Sequence, residues 1–168
     1  TAGFNTIDLT KLSSGGDILT IVLMIIGAGS GSTGGGLKVT TSAVLFLHMW
    51  SYVKGYEGID IFGRRVDSDA VKKAAANIAS YLFVGVAGCM VIAASGFGAL
   101  ESVFEAFSAL GTVGLTLGIT SSLTVIPQLV VTFLMYFGRV GSMTVAMAVT
   151  EGRVKEHLGN IKENIIVG

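Results

Sequence analysis

The chain has 168 residues, of which 51% are hydrophobic and only 13% charged, and its formal net charge is +0. Its mean hydropathy is +0.75. A charged share about half the usual ~25% excludes disorder and argues against an ordinary soluble domain. Zero net charge excludes a nucleic-acid partner held by bulk charge. Glycine is abundant, with 24 residues against the single Pro127. In an apolar chain that balance points to close helix packing and special backbone turns, not to a flexible linker. The single cysteine, Cys89, has no partner for an internal disulfide and reads as a small buried hydrophobe. The chain opens at Thr1, inside a motif and without Met or a signal peptide, and is expected to come from a longer polytopic protein.

In chain order, Thr1–Asp17 is polar and glycine-bearing, and Ile18–Ala28 is apolar. Gly29 to Gly36 reads GSGSTGGG, and Leu37–Val53 is apolar again. As one helix the 18–53 stretch would measure about 54 Å, too long for a simple crossing of a ~30 Å hydrocarbon core. Its centre is the glycine run, a poor helix former, so a broken helix with an intramembrane loop is expected. Irregular backbone at that depth must be buried in protein or face water, which suggests a pathway for a polar solute. A charged linker follows at 54–73. Ala74–Leu100 and Leu123–Val149 are each long and apolar enough to span. Glu101–Gly111 between them is too short and reads as a half-helix that enters and stops. The divisions are therefore 1–53, 54–73, 74–150 and a tail at 151–168.

Charge gives the orientation. Lys54, Arg64, Arg65, Lys72 and Lys73 cluster in the 54–73 linker, and Arg153, Lys155 and Lys162 lie in the tail. The opposite side carries only Lys11. The positive-inside rule puts linker and tail in the cytoplasm and 1–17 and 118–122 outside. Four acids interleaved with the linker's basic residues (Glu57, Asp60, Asp67 and Asp69) weaken a nucleic-acid reading of this cluster.

An offset of 111 residues aligns two stretches without a gap. Thr1 falls on Thr112, Gly3 on Gly114, Leu12 on Leu123, Leu23 on Leu134, Met24 on Met135, Gly27 on Gly138 and Thr33 on Thr144. Both copies run T-x-G-apolar, short outer loop, apolar helix with a glycine at its middle. Internal repeats around a central site are common in membrane transport proteins. In the second copy the T-x-G follows the short helix that ends near Gly111. The C-terminal carbonyls of that helix carry the negative end of its dipole and favour a cation. Gly114 permits the backbone angles that turn successive carbonyls toward one axis, where they can replace the water shell of a dehydrated monovalent cation. Thr1-Ala2-Gly3-Phe4 offers the same chemistry. Arg139, a lone charge in the last apolar span, must face protein or water. The carbonyls of the glycine loop are its expected partners, and together they would form a gate on the inner side of a pore. The competing reading of Arg139 is a tie between two helices.

TAGFNT, GAGSGSTGGGLKVTT, AFSALGTVGLTLGIT, MYFGRVGS and the terminal IIVG together resemble the Ktr/Trk superfamily of potassium transporters, and most of all its KtrB-type membrane subunits. The resemblance implies an all-α integral membrane fold of pseudo-repeats, each an M1 helix, a re-entrant pore helix, a filter loop and an M2 helix. This chain would hold the third filter with its broken M2 and the whole fourth repeat. Thr1, Ala2, Gly3 and Phe4 would be the third filter stretch and Thr112, Val113, Gly114 and Leu115 the fourth, with potassium at both. Gly29, Ser30, Gly31, Ser32, Thr33, Gly34, Gly35 and Gly36 would be the gating loop, met by Arg139. The resemblance further implies potassium uptake, often sodium-dependent, through a multi-pass protein of the cytoplasmic membrane. Its partners would be membrane lipid, a second copy in a homodimer and a cytosolic nucleotide-binding ring of the KtrA type. No covalent cofactor, nucleic acid or enzymatic activity is expected.

Other readings fit less well. A phosphate-binding loop needs G-x-x-x-x-G-K-[ST], but Leu37 separates Gly36 from Lys38, and Val39 takes the Ser/Thr position. A coupled carrier of another small solute would use paired acids within the spans, and none lies there. A non-transporting anchor leaves the duplicated T-x-G unexplained. His48 and His157 lack metal-ligand neighbours, and His48 with Trp50 and Tyr52 suggests an interfacial aromatic belt. Glu101 and Glu105 either concentrate cations at the outer mouth or form an exposed helix face. Lys38 either repels cations or snorkels to the inner surface.

Overall fold

The computed structural model describes residues 2–32, 34–55, 60–61 and 64–141. Thr1, Thr33, Thr144, parts of the 54–73 linker and the 151–168 tail therefore lie outside the described residues. Among the described residues five α-helices build the fold: α1 (Ser14–Ile26), α2 (Val39–Val53), α3 (Ser68–Ala94), α4 (Ala99–Leu110) and α5 (Val125–Val140). The all-α reading holds, with one addition. Asp60–Ile61 (β1) pairs antiparallel with Arg64–Arg65 (β2), so the linker folds into a minimal hairpin.

Local chemistry sets the helix ends. Ser13 caps α1 by accepting from the Gly16 N–H, and α1 stops at Gly27, whose φ of 72° breaks the helix. Asp67 caps α3 through the Asp69 N–H. The apolar run expected to span as one piece over Ala74–Leu100 is divided instead. The helix starts earlier, at Ser68, and ends at Ala94, because Gly96 turns the chain at φ 98°. Glu101 then accepts from the Gly98 N–H and caps α4. Pro127 sits in the first turn of α5, where its missing N–H costs nothing. The helix expected over 123–149 runs to Val140 and is closed by Gly141, and residues past 141 lie outside the description.

Among the described residues, α3 is the one helix long and apolar enough to cross a membrane. Helices α1, α2 and α5 are shorter, at about 20, 22 and 24 Å.

The short α4 is the centre. From Ser102 to Leu110 all of it is buried except Val103, and it packs against α1, α3 and α5. The turn at Ser95–Gly98 sends it back along α3. Its C-terminal Phe107 and Leu110 reach only the level of Gly85, well inside α3. Gly85 and Gly88 admit Phe107, Leu110 and Leu134 closely. Phe104, Ile92, Leu110 and Leu134 are the largest apolar side chains with almost no exposure. The outside is apolar instead. Leu82, Phe83, Val86 and Met90 on α3, and Ile126, Leu129, Phe133 and Tyr136 on α5, are exposed. Asp17 and Glu105 are buried. Apolar outside and charged inside is the pattern of a protein solvated by lipid. Cys89 is half-buried at the edge of the core.

The closest helix contact sets a test. A Cβ at Gly138 would overlap the carbonyl oxygen of Leu110, whereas a Cβ at Gly29 would meet open space. Gly138→Ala should destabilise by about 1–3 kcal/mol through overpacking, and Gly29→Ala should be neutral. Thermal unfolding of the native full-length protein checks this, and equal melting of the two variants would mean that α4 and α5 do not meet at this point.

Candidate functional site

The end of α4 is a Schellman motif. The Val113 N–H bonds the Ser108 carbonyl at 2.9 Å and the Thr112 N–H bonds the Ala109 carbonyl at 3.0 Å. This motif places the residue after the cap in the left-handed region, where glycine is usual. Here it is Thr112, with φ 52°, the one non-glycine with positive φ among the described residues. That conformation costs about 1–2 kcal/mol for an L-residue. The threonine hydroxyl has a specific use in return: it accepts the Gly35 N–H at 2.7 Å. A strained residue in the T-x-G stretch thus holds the glycine loop directly.

The loop is an excursion pinched at its base, where the Val39 N–H donates to the Ala28 carbonyl at 3.1 Å. Ser30, Gly31 and Ser32 at its tip are exposed, and Gly34–Leu37 pack inward. Gly35 lies between the Thr112 side chain and the Gly138 carbonyl. Gly36, with φ 78°, lies against Gly111, Gly27 and the Tyr81 hydroxyl. None of these approaches leaves room for a Cβ that does not displace a neighbour or strain the backbone. Tyr81 is 2% exposed, its ring lies against Phe107, and its hydroxyl has no hydrogen-bond partner among the described residues.

The two T-x-G stretches meet. A Cβ on Gly3 would stand 2.7 Å from the Val113 carbonyl oxygen and 3.8 Å from the Gly114 Cα. Gly3 and Gly114 both have positive φ, 73° and 86°. Val113 is buried, whereas Ala2, Phe4 and Gly114 are exposed in this chain. The Leu115 carbonyl accepts from the Ser108 hydroxyl, so it is already engaged within the protein.

Several charged residues take roles that the sequence did not resolve. Glu105 is 5% exposed, so it is neither an exposed helix face nor a free charge at a mouth. Its carboxylate accepts the Thr116 and Thr120 hydroxyls at 2.7 and 2.6 Å and straps the 116–120 segment to α4. Lys38 does not simply snorkel: its ammonium stays on the loop and donates to the Ser32 and Gly34 carbonyls. Lys38 is thus one cation on the loop carbonyls. Arg139 is exposed on the last turn of α5, one residue past the glycine that Gly35 touches. Trp50 and Tyr52 are exposed, and the Lys54 ammonium lies 5.1 Å from the Trp50 ring centre. A cleft of about 300 Å³ between α2 and α3, lined by Thr40, Thr41, Val44, Lys73, Ala74 and Asn77, includes no T-x-G residue.

Glu105, Ser108, Lys38, Tyr81 and Asp17 are the polar groups whose partners, or lack of partners, sequence reading missed. Thr116 and Thr120, at spacings of 11 and 15 residues from Glu105, were the available signal for that cluster.

Residues 1–154 match the TrkH family, described as "Cation transport protein". The chain is 41% identical to the potassium/sodium uptake protein NtpJ of Enterococcus hirae, over 100% of this chain and 39% of that protein. It is 38% identical to the Ktr system potassium uptake protein B of Bacillus subtilis, over 86% of this chain and 33% of that protein. It is 31% identical to the Ktr system potassium uptake protein D of Bacillus subtilis, over 99% of this chain and 37% of that protein. The chain belongs to the TrkH family, within the Ktr/Trk superfamily that its motifs resemble, and this is a family of cation transporters, not of enzymes. It spans well under half the length of these relatives.

The tie between Thr112 and Gly35 yields a prediction. Thr112→Val removes the acceptor and leaves a buried N–H unpaired, at a cost of about 1–3 kcal/mol. Thr112→Ser keeps the acceptor. The Gly35 amide of the native full-length protein should exchange at least roughly tenfold faster in the valine variant. In the serine variant it should stay near the parent rate. Hydrogen-exchange mass spectrometry reads both.

Proposed function

We propose that this member of the TrkH family forms part of a potassium pathway across the cytoplasmic membrane. Thr1–Phe4 and Thr112–Leu115 are two of its filter stretches and the 29–36 loop is its gate. The observation that carries the reading is the junction at the end of α4. There, two T-x-G glycines 111 residues apart lie side by side, and the loop hydrogen-bonds to the threonine of one of them. Backbone carbonyls at such a point coordinate a dehydrated monovalent cation. The names of the relatives, potassium/sodium uptake and Ktr potassium uptake, agree with potassium as the transported ion and with sodium as a coupling or stimulating one.

The chain is read as one filter with its broken M2 (1–53), a cytoplasmic linker (54–73), a full pseudo-repeat (74–150) and a cytoplasmic tail (151–168). Four matched positions support the repeat. The 3-10 turns at Leu9–Lys11 and Thr120–Ser122 are 111 residues apart, as are the starts of α1 at Ser14 and α5 at Val125. The broken M2 is supported by the pinched excursion between α1 and α2. The return of α4 to the level of Gly85 supports a re-entrant pore helix. The apolar exterior supports a multi-pass protein in lipid, and the basic linker supports a cytoplasmic C-terminus. The word "system" in the relatives' names supports a partner subunit. A homodimer resting on a KtrA-type ring is the assembly that this reading takes. Lys38 keeps the gate closed by holding the Ser32 and Gly34 carbonyls, and Gly138, next to Arg139, is the floor that the loop rests on.

The filter reading is tested by potassium-limited growth of uptake-deficient bacteria carrying the native full-length protein, its cytosolic partner supplied. Gly114→Ser puts a side chain on a backbone with φ 86°. It should lose rescue at equal membrane expression, with affinity for potassium or selectivity over sodium reduced at least tenfold. Unchanged selectivity and affinity would sink the filter assignment. The gate reading is tested by rubidium flux. Deleting Ser30–Gly35 removes the Gly35 bond to Thr112, and flux should rise severalfold. A folded deletion variant with normal or lower flux would count against gating.

A further inference from the structure

The 111-residue offset places Asp17 of α1 at the position of Gln128 in α5. The two settings share a backbone. Leu12 and Leu123 each close a 3-10 turn, with φ/ψ of −68°/152° and −64°/134°. In the second copy the Gln128 amide Nε2 donates to the Leu123 carbonyl at 3.0 Å. In the first copy a carboxylate stands in place of that donor. A carboxylate has nothing to donate to the Leu12 carbonyl, and it is one methylene shorter. The hydrogen bond of the second copy therefore has no counterpart from an ionised Asp17 in the first.

Asp17 is only 6% exposed, and its Oδ1 has no hydrogen-bond partner among the described residues. The nearest helix donors are taken: the Gly16 N–H by the Ser13 hydroxyl and the Asp17 N–H by the Ser13 carbonyl. Lys72 pairs with Asp69, and no ion pair to Asp17 is seen among the described residues. A buried carboxylate without donor or counter-charge is expensive unless something positive joins it.

We propose that Asp17 Oδ1 and the Leu12 carbonyl oxygen bind a monovalent alkali cation at the N-terminal end of α1, a site separate from the T-x-G stretches. Oxygen ligands select a hard cation. A single carboxylate balances a single charge, and no group of three or more metal-binding side chains occurs among the described residues, which disfavours a divalent ion. The opposite end of α1 is Gly27, at the base of the glycine loop, so the bound ion anchors the helix that leads into the loop.

The test is thermal unfolding of the native full-length protein. Sodium chloride or potassium chloride replaces choline chloride at constant ionic strength. The parent should melt progressively higher as alkali cation replaces choline. Asp17→Gln, which copies the Gln128 arrangement, should melt at or above the parent in choline and lose at least half of the cation-dependent rise. Gly114→Ser should keep the part that Asp17→Gln loses, so failure of the filter reading and failure of this one appear in different variants. An equal rise in parent and Asp17→Gln would overturn the proposal. So would the absence of any rise in the parent, the outcome expected if water bridges the two oxygens. Asp17→Asn carries the same comparison if Asp17→Gln does not fold.

Discussion

The architecture depends on backbone approaching backbone around one point, the C-terminal end of α4. Gly138 of α5 stands against the Leu110 carbonyl, Gly35 against Thr112 and the Gly138 carbonyl, and Gly36 against Gly111. Gly27 stands against the Leu37 carbonyl within the loop itself. Three segments distant in sequence converge where a single methyl group would force them apart. Glycine gives up backbone entropy on folding, and in a lipid-facing protein that loss is offset by close packing and by polar groups matched inside the protein. At these positions glycine is a local requirement of the junction.

Against that background Thr112 is the informative exception. Its place in the Schellman motif suits glycine, yet it carries a branched side chain in a left-handed conformation. What it gains is an oxygen that can accept from the loop. Backbone strain of this kind persists only where the surrounding contacts hold it in place, and here the hydroxyl that comes with it holds the loop. The same logic separates Glu105, whose carboxylate accepts two threonine hydroxyls, from Asp17, whose Oδ1 meets no donor among the described residues.

Much of this was legible in the sequence because it rests on periodicity and composition. The apolar runs, the short α4, the break at the glycine run and the 111-residue offset all follow from residue order alone. What was not legible depends on distance between remote residues. Ala74–Leu100 reads as one span because a Gly-x-Gly turn adds little to the average hydropathy of an apolar window. Glu101 and Glu105 look equivalent in sequence, and only packing reveals that one caps a helix and the other is enclosed. Lys38 and Arg139 are both cations near the loop, and spacing alone does not say that Lys38 reaches the carbonyls of Ser32 and Gly34. The hairpin at Asp60–Ile61 and Arg64–Arg65 is too short for alternation to announce it.

The Tyr81 phenol gives the loop a built-in bias. In the arrangement described, its hydroxyl is sealed against Gly36 with no partner among the described residues. An unsatisfied buried hydroxyl forfeits about 1–3 kcal/mol. A rearrangement that offers this oxygen a loop carbonyl, a loop N–H or a water molecule recovers that energy, which corresponds to a population ratio of roughly five- to 150-fold. The bond between Gly35 and Thr112 and the grip of Lys38 pull the other way. The packed loop is thus held by one hydroxyl and one ammonium against the demand of one unpaired phenol.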